Sequence, residues 1–225
     1  MSPPQIDEII RTRRKTIALI VQRDGKVIVR APLRTSQRQI MDFVHEKSEW
    51  ITETLEKIKK NPLQSTPQRF EEGERFWYMG QQIPLNLVSN QKLVLQFDHR
   101  FLLKRDHLPR AKSILEKWYK KQARIHMADR TALYAQKYGF TYKKINITSA
   151  RTRWGSCSTN GSISFTWRLI MAPSDVIDYV IIHELVHTRV HNHSRQFWDQ
   201  VEKIMPEFRK YRLWLKKNGA LLRFE

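Results

Sequence analysis

The residues best placed to do chemistry are His183, Glu184 and His187, which form an HExxH pattern. On an α-helix, positions i and i+4 differ by about 40° and one turn of rise, so both imidazoles can reach one metal ion. Glu184 projects beside them, where it can take a proton from metal-bound water, whose pKa zinc lowers to about 7. With 8 histidines in 225 residues, chance supplies on the order of 0.02 such patterns in a chain of average composition. The neighbours sharpen the signal: Val176, Ile177, Val180, Ile181, Ile182, Leu185 and Val186 are apolar. Two histidines and a glutamate in that setting need partners, because unpaired buried polar groups are costly.

A catalytic zinc usually takes three protein ligands and keeps one open position. Downstream candidates for the third are His191, His193 and Glu202. On a continued straight helix His191 lies about 12 Å along the axis from His183, too far to close a tetrahedron. Asn192 tolerates the left-handed conformation of a helix end, and a turn there swings His193 back. Ser194 can then cap the next helix. Glu202, on that following helix, offers an oxygen ligand only if the helix crosses close to the motif.

Other residues have weaker claims. Arg151 and Arg153 flank Trp154 and suit bidentate binding of a carboxylate or phosphate; the alternative is stacking on Trp154. Cys157 is a soft ligand type, although a lone thiol mostly behaves as a small hydrophobe. Phe197 and Trp198 read as packing residues. Asp178 suits the first helical turn, or orients a histidine from behind. His45, His99, His107 and His126 are scattered and read as surface residues.

The elements that must position this set follow from pattern. Residues 16–31 read as two β-branched runs around Asp24-Gly25, a hairpin signal. Apolar spacing predicts a helix over 37–60, and Pro, Ser and Gly predict a loop over 61–74. Strands are expected at about 75–79, 82–88, 92–97 and 101–104. After Pro109 the pattern predicts one long helix over 110–138, closed by Gly139. Strands follow at 142–149 and 162–170, with a turn at Asn160-Gly161. A very apolar helix opens at Pro173-Ser174 and runs to about His191. Shorter helices are expected over 194–205 and 207–218. The expected fold is α+β: a small β-rich unit with one helix over 1–108, then a helical hydrolase domain with a short sheet over 109–225.

Composition bounds the rest. Forty-one Lys and Arg against 22 Asp and Glu leave a net charge of +19, a field that attracts nucleic acid, nucleotides or other polyanions. The basic residues recur in patches (11–15, 57–60, 117–124, 209–217), several on predicted helices, where a solvated face is the plainer reading. No apolar run approaches the roughly 20 residues of a membrane span. The start of the chain is not patterned as a secretory signal, and one cysteine makes no internal disulfide, so a cytoplasmic protein is expected.

Four segments together carry a family resemblance: RTRWGSCS (151–158), ISFTWRLIMAP (163–173), VIDYVIIHELVH (176–187) and NHSRQFW (192–198). With VIVRAP (27–32) and FVHEKSEWI (43–51), they resemble the YgjP-like metallopeptidase family, related to the WLM and SprT-like zinc metallopeptidase domains. The resemblance implies a minimal zincin fold, with His183, His187 and His193 as zinc ligands and Glu184 as catalytic base. It implies a peptide-like substrate, but some members are assigned to nucleotide hydrolysis. The sequence therefore supports three functions. The first is a zinc peptidase, the second a metal-dependent nucleotide (UTP-type) pyrophosphatase at the same site. The third is an SprT-like protease or binding module acting on nucleic-acid-associated proteins, although no zinc finger or helix-turn-helix pattern is present. Oligomeric state is open.

Overall fold

A computed structural model describes residues 5–22, 25–60, 68–222 and 224; the side chains of 57–60 are outside it. The chain divides into two compact units, Met1–Pro67 and Gln68–Glu225. The boundary expected near 108 falls inside the second of these units. The strands of 75–104 carry Phe76, Leu85, Phe101 and Leu103, which share one apolar core with the helices of the second unit.

The first unit is a three-stranded sheet with two helices. Strands β1 (Glu8–Thr12), β2 (Ala18–Val21) and β3 (Val27–Pro32) lie in the order β1-β3-β2, with β1 parallel and β2 antiparallel to β3. The expected β2–β3 hairpin is present, although Asp24 of its turn lies outside the described residues, as does 61–67 of the expected loop. The predicted single helix is two, α1 (Gln37–Glu46) and α2 (Ser48–Lys60), broken at Lys47. Ser36 and Gln39 start α1 with a reciprocal capping box. Val27, Val29 and Ala31 alternate inward from β3 against Ile40, Val44 and Ile51.

In the second unit β4 (Arg75–Tyr78), β5 (Gln81–Val88), β6 (Leu95–Phe97) and β7 (Phe101–Lys104) form a mixed sheet ordered β4-β5-β7-β6. A 3₁₀ segment leads into α3 (Ala111–Tyr138), whose buried residues recur every fourth position from Ala111 and Leu115 to Thr131 and Ala135. Gly139 ends it in the left-handed region at φ 69°, where glycine meets no steric cost.

A second sheet orders β8 (Lys144–Thr148), β10 (Ser162–Thr166) and β9 (Gly155–Cys157) as β8-β10-β9, so the three-residue β9 is an edge strand. The strand expected to reach 170 stops at Thr166, and residues 167–171 coil into a 3₁₀ turn. Helix α4 (Ser174–Val186) is buried on most sides, and α5 (Arg195–Ile204) and α6 (Phe208–Asn218) pack beside it. It ends five residues before the expected His191. The fold is α+β, as the sequence implied. No described helix is long and apolar enough to cross a membrane.

Candidate metal centre

The early end of α4 builds the site. His183 lies in its last turn and His187 at its C-cap. Beyond it the Thr188, Arg189 and Val190 amides donate back to the carbonyls of Leu185, Val186 and Val186, curling the chain over the helix end. Arg189 pins this curl to the end of α3, donating to the carbonyls of Tyr138 and Gly139 at 3.1 and 2.6 Å while its guanidinium lies over Phe140. Asn192 is not left-handed, contrary to expectation; its Oδ1 accepts from the Ser194 amide at 3.2 Å. Ser194 occupies the N-cap of α5, but its side chain makes no capping bond.

This path returns His193 to the motif. Its Nε2 lies 3.1 Å from Nε2 of His183 and 3.2 Å from Nε2 of His187, and the ligand atoms of all three residues fall within 4.8 Å of one another. Three imidazoles on a tetrahedral zinc, each at about 2.0–2.1 Å, have nitrogens about 3.3 Å apart. The donor set therefore fits such an ion. His187 Nδ1 lies 3.0 Å from the Val190 carbonyl, which accepts its proton and leaves the Nε2 lone pair facing the cluster.

Packing holds the rings. Phe197, fully buried, sits with its centroid 4.4–4.9 Å from all three imidazoles. Trp198 stacks on His193 at 5.6 Å, Phe208 stacks on Trp198, and Arg212 lies over the Trp198 ring. Burial, then the charges of His187, His193 and Arg212, push His183 down to about 3. Burial also lowers His187, against the opposing bond to Val190. Neutral imidazoles are the form that ligates metal.

Glu184 is 4% exposed, and its Oε2 has no hydrogen-bond partner among the described residues. Burial pushes its carboxyl up to about 8, opposed by the charge of Arg153. It faces β9 at Gly155: a Cβ built there would lie 2.5–2.8 Å from Oε1, Cγ and Cδ of Glu184.

The remaining candidates separate. Glu202 is engaged by Arg209 at 2.8 Å and is not in the histidine cluster. His191 is exposed and outside it. Arg151 and Arg153 are exposed, and neither lies over Trp154 among the described residues. Cys157 is half-buried on β9, close enough to Glu184 for that charge to raise its thiol, after burial. Asp178 contacts no motif histidine. It takes both arms of Arg130 on α3 and the hydroxyl of Tyr134, tying α3 to α4. His45 and His99 are exposed as expected, but His107 and His126 are half-buried. Sequence reasoning did not single out Gly155, Arg189 or Arg212. Gly155 entered the sequence reading only as part of the segment RTRWGSCS (151–158).

The profile of the YgjP-like metallopeptidase domain matches residues 15–218. The chain belongs to that family. Membership makes it a metal-dependent hydrolase of the metallopeptidase type, and the three converging histidines are a set that could hold the metal. No curated protein matches the sequence. Among solved structures, the YgjP-like chain is similar to the crystal structure of the metallopeptidase zymogen of Pyrococcus abyssi abylysin. The two are 23% identical with a TM-score of 0.37, over 40% of this chain and 93% of that one.

Proposed function

We propose that this protein is a zinc peptidase in which His183, His187 and His193 hold the metal and Glu184 is the general base. The return of His193, its Nε2 3.1 Å from that of His183 and 3.2 Å from that of His187, carries this reading, and the buried Glu184, whose Oε2 has no hydrogen-bond partner among the described residues, supports it. Zinc so held supplies Lewis acidity, activating water near neutral pH and polarising a carbonyl. Glu184 does the proton work: it accepts a proton from the attacking water and returns it to the leaving nitrogen.

The substrate is a peptide or protein, and β9 supports its placement. Among the described residues β9, which lies against Glu184, has a strand neighbour on one side only, an edge suited to pairing with an extended peptide, a common mode of peptide capture. Arg151 and Arg153, exposed beside that edge, are proposed to bind acidic groups of the substrate. The same arginines favour the phosphoanhydride alternative.

The decisive experiment incubates the purified protein separately with casein, nucleoside triphosphates and single-stranded DNA, each with and without chelator. Chelator-sensitive cleavage of casein alone is expected. Hydrolysis of nucleotides alone would overturn the peptidase reading while keeping the metal site.

A further inference from the structure

Gly155 stands out because nothing in its backbone demands glycine. It lies in β9, paired with Phe165 of β10 in ordinary antiparallel register, and its φ is not in the left-handed region. Any residue could adopt that conformation, and a side chain in a strand normally helps rather than harms.

What a side chain would meet is Glu184. The built Cβ falls 2.5 Å from Oε1, 2.7 Å from Cγ and 2.8 Å from Cδ. Clashing with Oε1 alone would be relieved by a small swing of the carboxylate. Clashing with Cγ as well requires a new rotamer, and Glu184 is enclosed among buried neighbours with little room to take one. The missing Cβ is therefore the slot that the carboxylate occupies.

We propose that Gly155 is a positioning residue for the general base, its lack of a side chain fixing where the Glu184 carboxylate stands relative to the histidine cluster. The proposal rests on the reading of Glu184 as base. It also gives β9 a second task, since one three-residue strand both seats the carboxylate and forms the open edge beside it. Displacing a catalytic group by about 1 Å can cost a hundredfold in rate, so a single methyl group at 155 is enough to matter.

The test is a double-mutant cycle on the zinc-loaded full chain, because Glu184→Asp shortens the acid and frees the space. Wild type, Gly155→Ala, Glu184→Asp and the double variant are compared for zinc per chain, Tm, kcat and KM on casein-derived peptide, with Glu184→Gln alongside. Gly155→Ala should keep its zinc, lower kcat at least tenfold and leave KM within about twofold. In the Glu184→Asp background the same change should lower kcat less than twofold. Should Gly155→Ala fail to fold, recovery of folding in the double variant would still support the contact. Equal kcat losses in both backgrounds, or no loss in either, would overturn the proposal. Glu184→Gln reports separately on the base: full activity there overturns that assignment, and with it this one.

Discussion

In the proposed mechanism the chemistry turns on Glu184, and two measurements bear on it. A general base contributes about 10²–10⁴-fold, so Glu184→Gln should lose activity in that range while keeping its zinc; a near-fully active variant would remove Glu184 from the role. The second measurement is pH-dependent stability of the metal-free protein. Because burial raises the folded-state carboxyl from 4.5 to about 8, its contribution is fully present below about pH 4.5 and is lost as pH rises through 8. Glu184→Gln lacks this loss. Chemical denaturation of chelated proteins at pH 5 and 8.5 should show the variant gaining on wild type by on the order of a few kcal/mol at the higher pH. A constant gap at both pH values would contradict the burial argument. The third ligand is tested at the same scale: His193→Ala should weaken zinc binding sharply in a chelator competition, and Glu202→Ala, whose carboxylate already pairs with Arg209, should leave it nearly unchanged. Release of zinc by Glu202→Ala alone would reverse the ligand assignment.

At the scale of elements, the decisive feature is the stop of α4 at Val186. Had the helix run to His191, His193 would lie beyond reach of His183. The curl after His187 prevents that, and Arg189 anchors it through two carbonyls and the Phe140 face. Arg189→Ala should therefore keep the fold but lower zinc affinity about tenfold, at the low end of what supporting residues around a metal contribute. Unchanged affinity by competition titration would show that the curl holds itself. This element also marks where sequence patterns run out. His183, Glu184 and His187 are legible because helical spacing and an apolar face are local signals. So are α3, with its buried fourth-position repeat and Gly139, and the strands of 75–104. The end of α4 is not, because Thr188–Val190 carry no glycine or proline, and the anchor comes from Arg189 reaching a different helix. Strand β9 escapes notice because Gly-Ser-Cys has no strand pattern; it is a strand only because β10 pairs with it. The break at Lys47 likewise has no glycine or proline to announce it.

For the whole molecule, the question is what a net charge of +19 does. Part of the positive charge carried by the 41 Lys and Arg is paired with acids: Arg130 with Asp178 and Arg209 with Glu202. Much is not. On α3, Lys117, Lys121 and Arg124 are exposed at spacings of four and three, which places them on one stripe of the helix surface. On α6, Arg212 and Lys216 are exposed four residues apart. Stripes of this kind attract phosphates through charge alone and carry no code for base sequence. The expectation is weak DNA binding that is indifferent to sequence. Neutralising about four phosphates this way would cost on the order of a hundredfold in affinity between 50 and 200 mM salt. Replacing Lys117, Lys121 and Arg124 by Ala should lower the slope of log K against log salt by up to about three, roughly one for each phosphate no longer neutralised. Anisotropy titrations of two unrelated duplexes across that salt range measure both quantities. Binding that survives high salt, or that prefers one duplex, would mean that the surface reads more than charge, and would favour a role at nucleic-acid-bound proteins over a free peptidase.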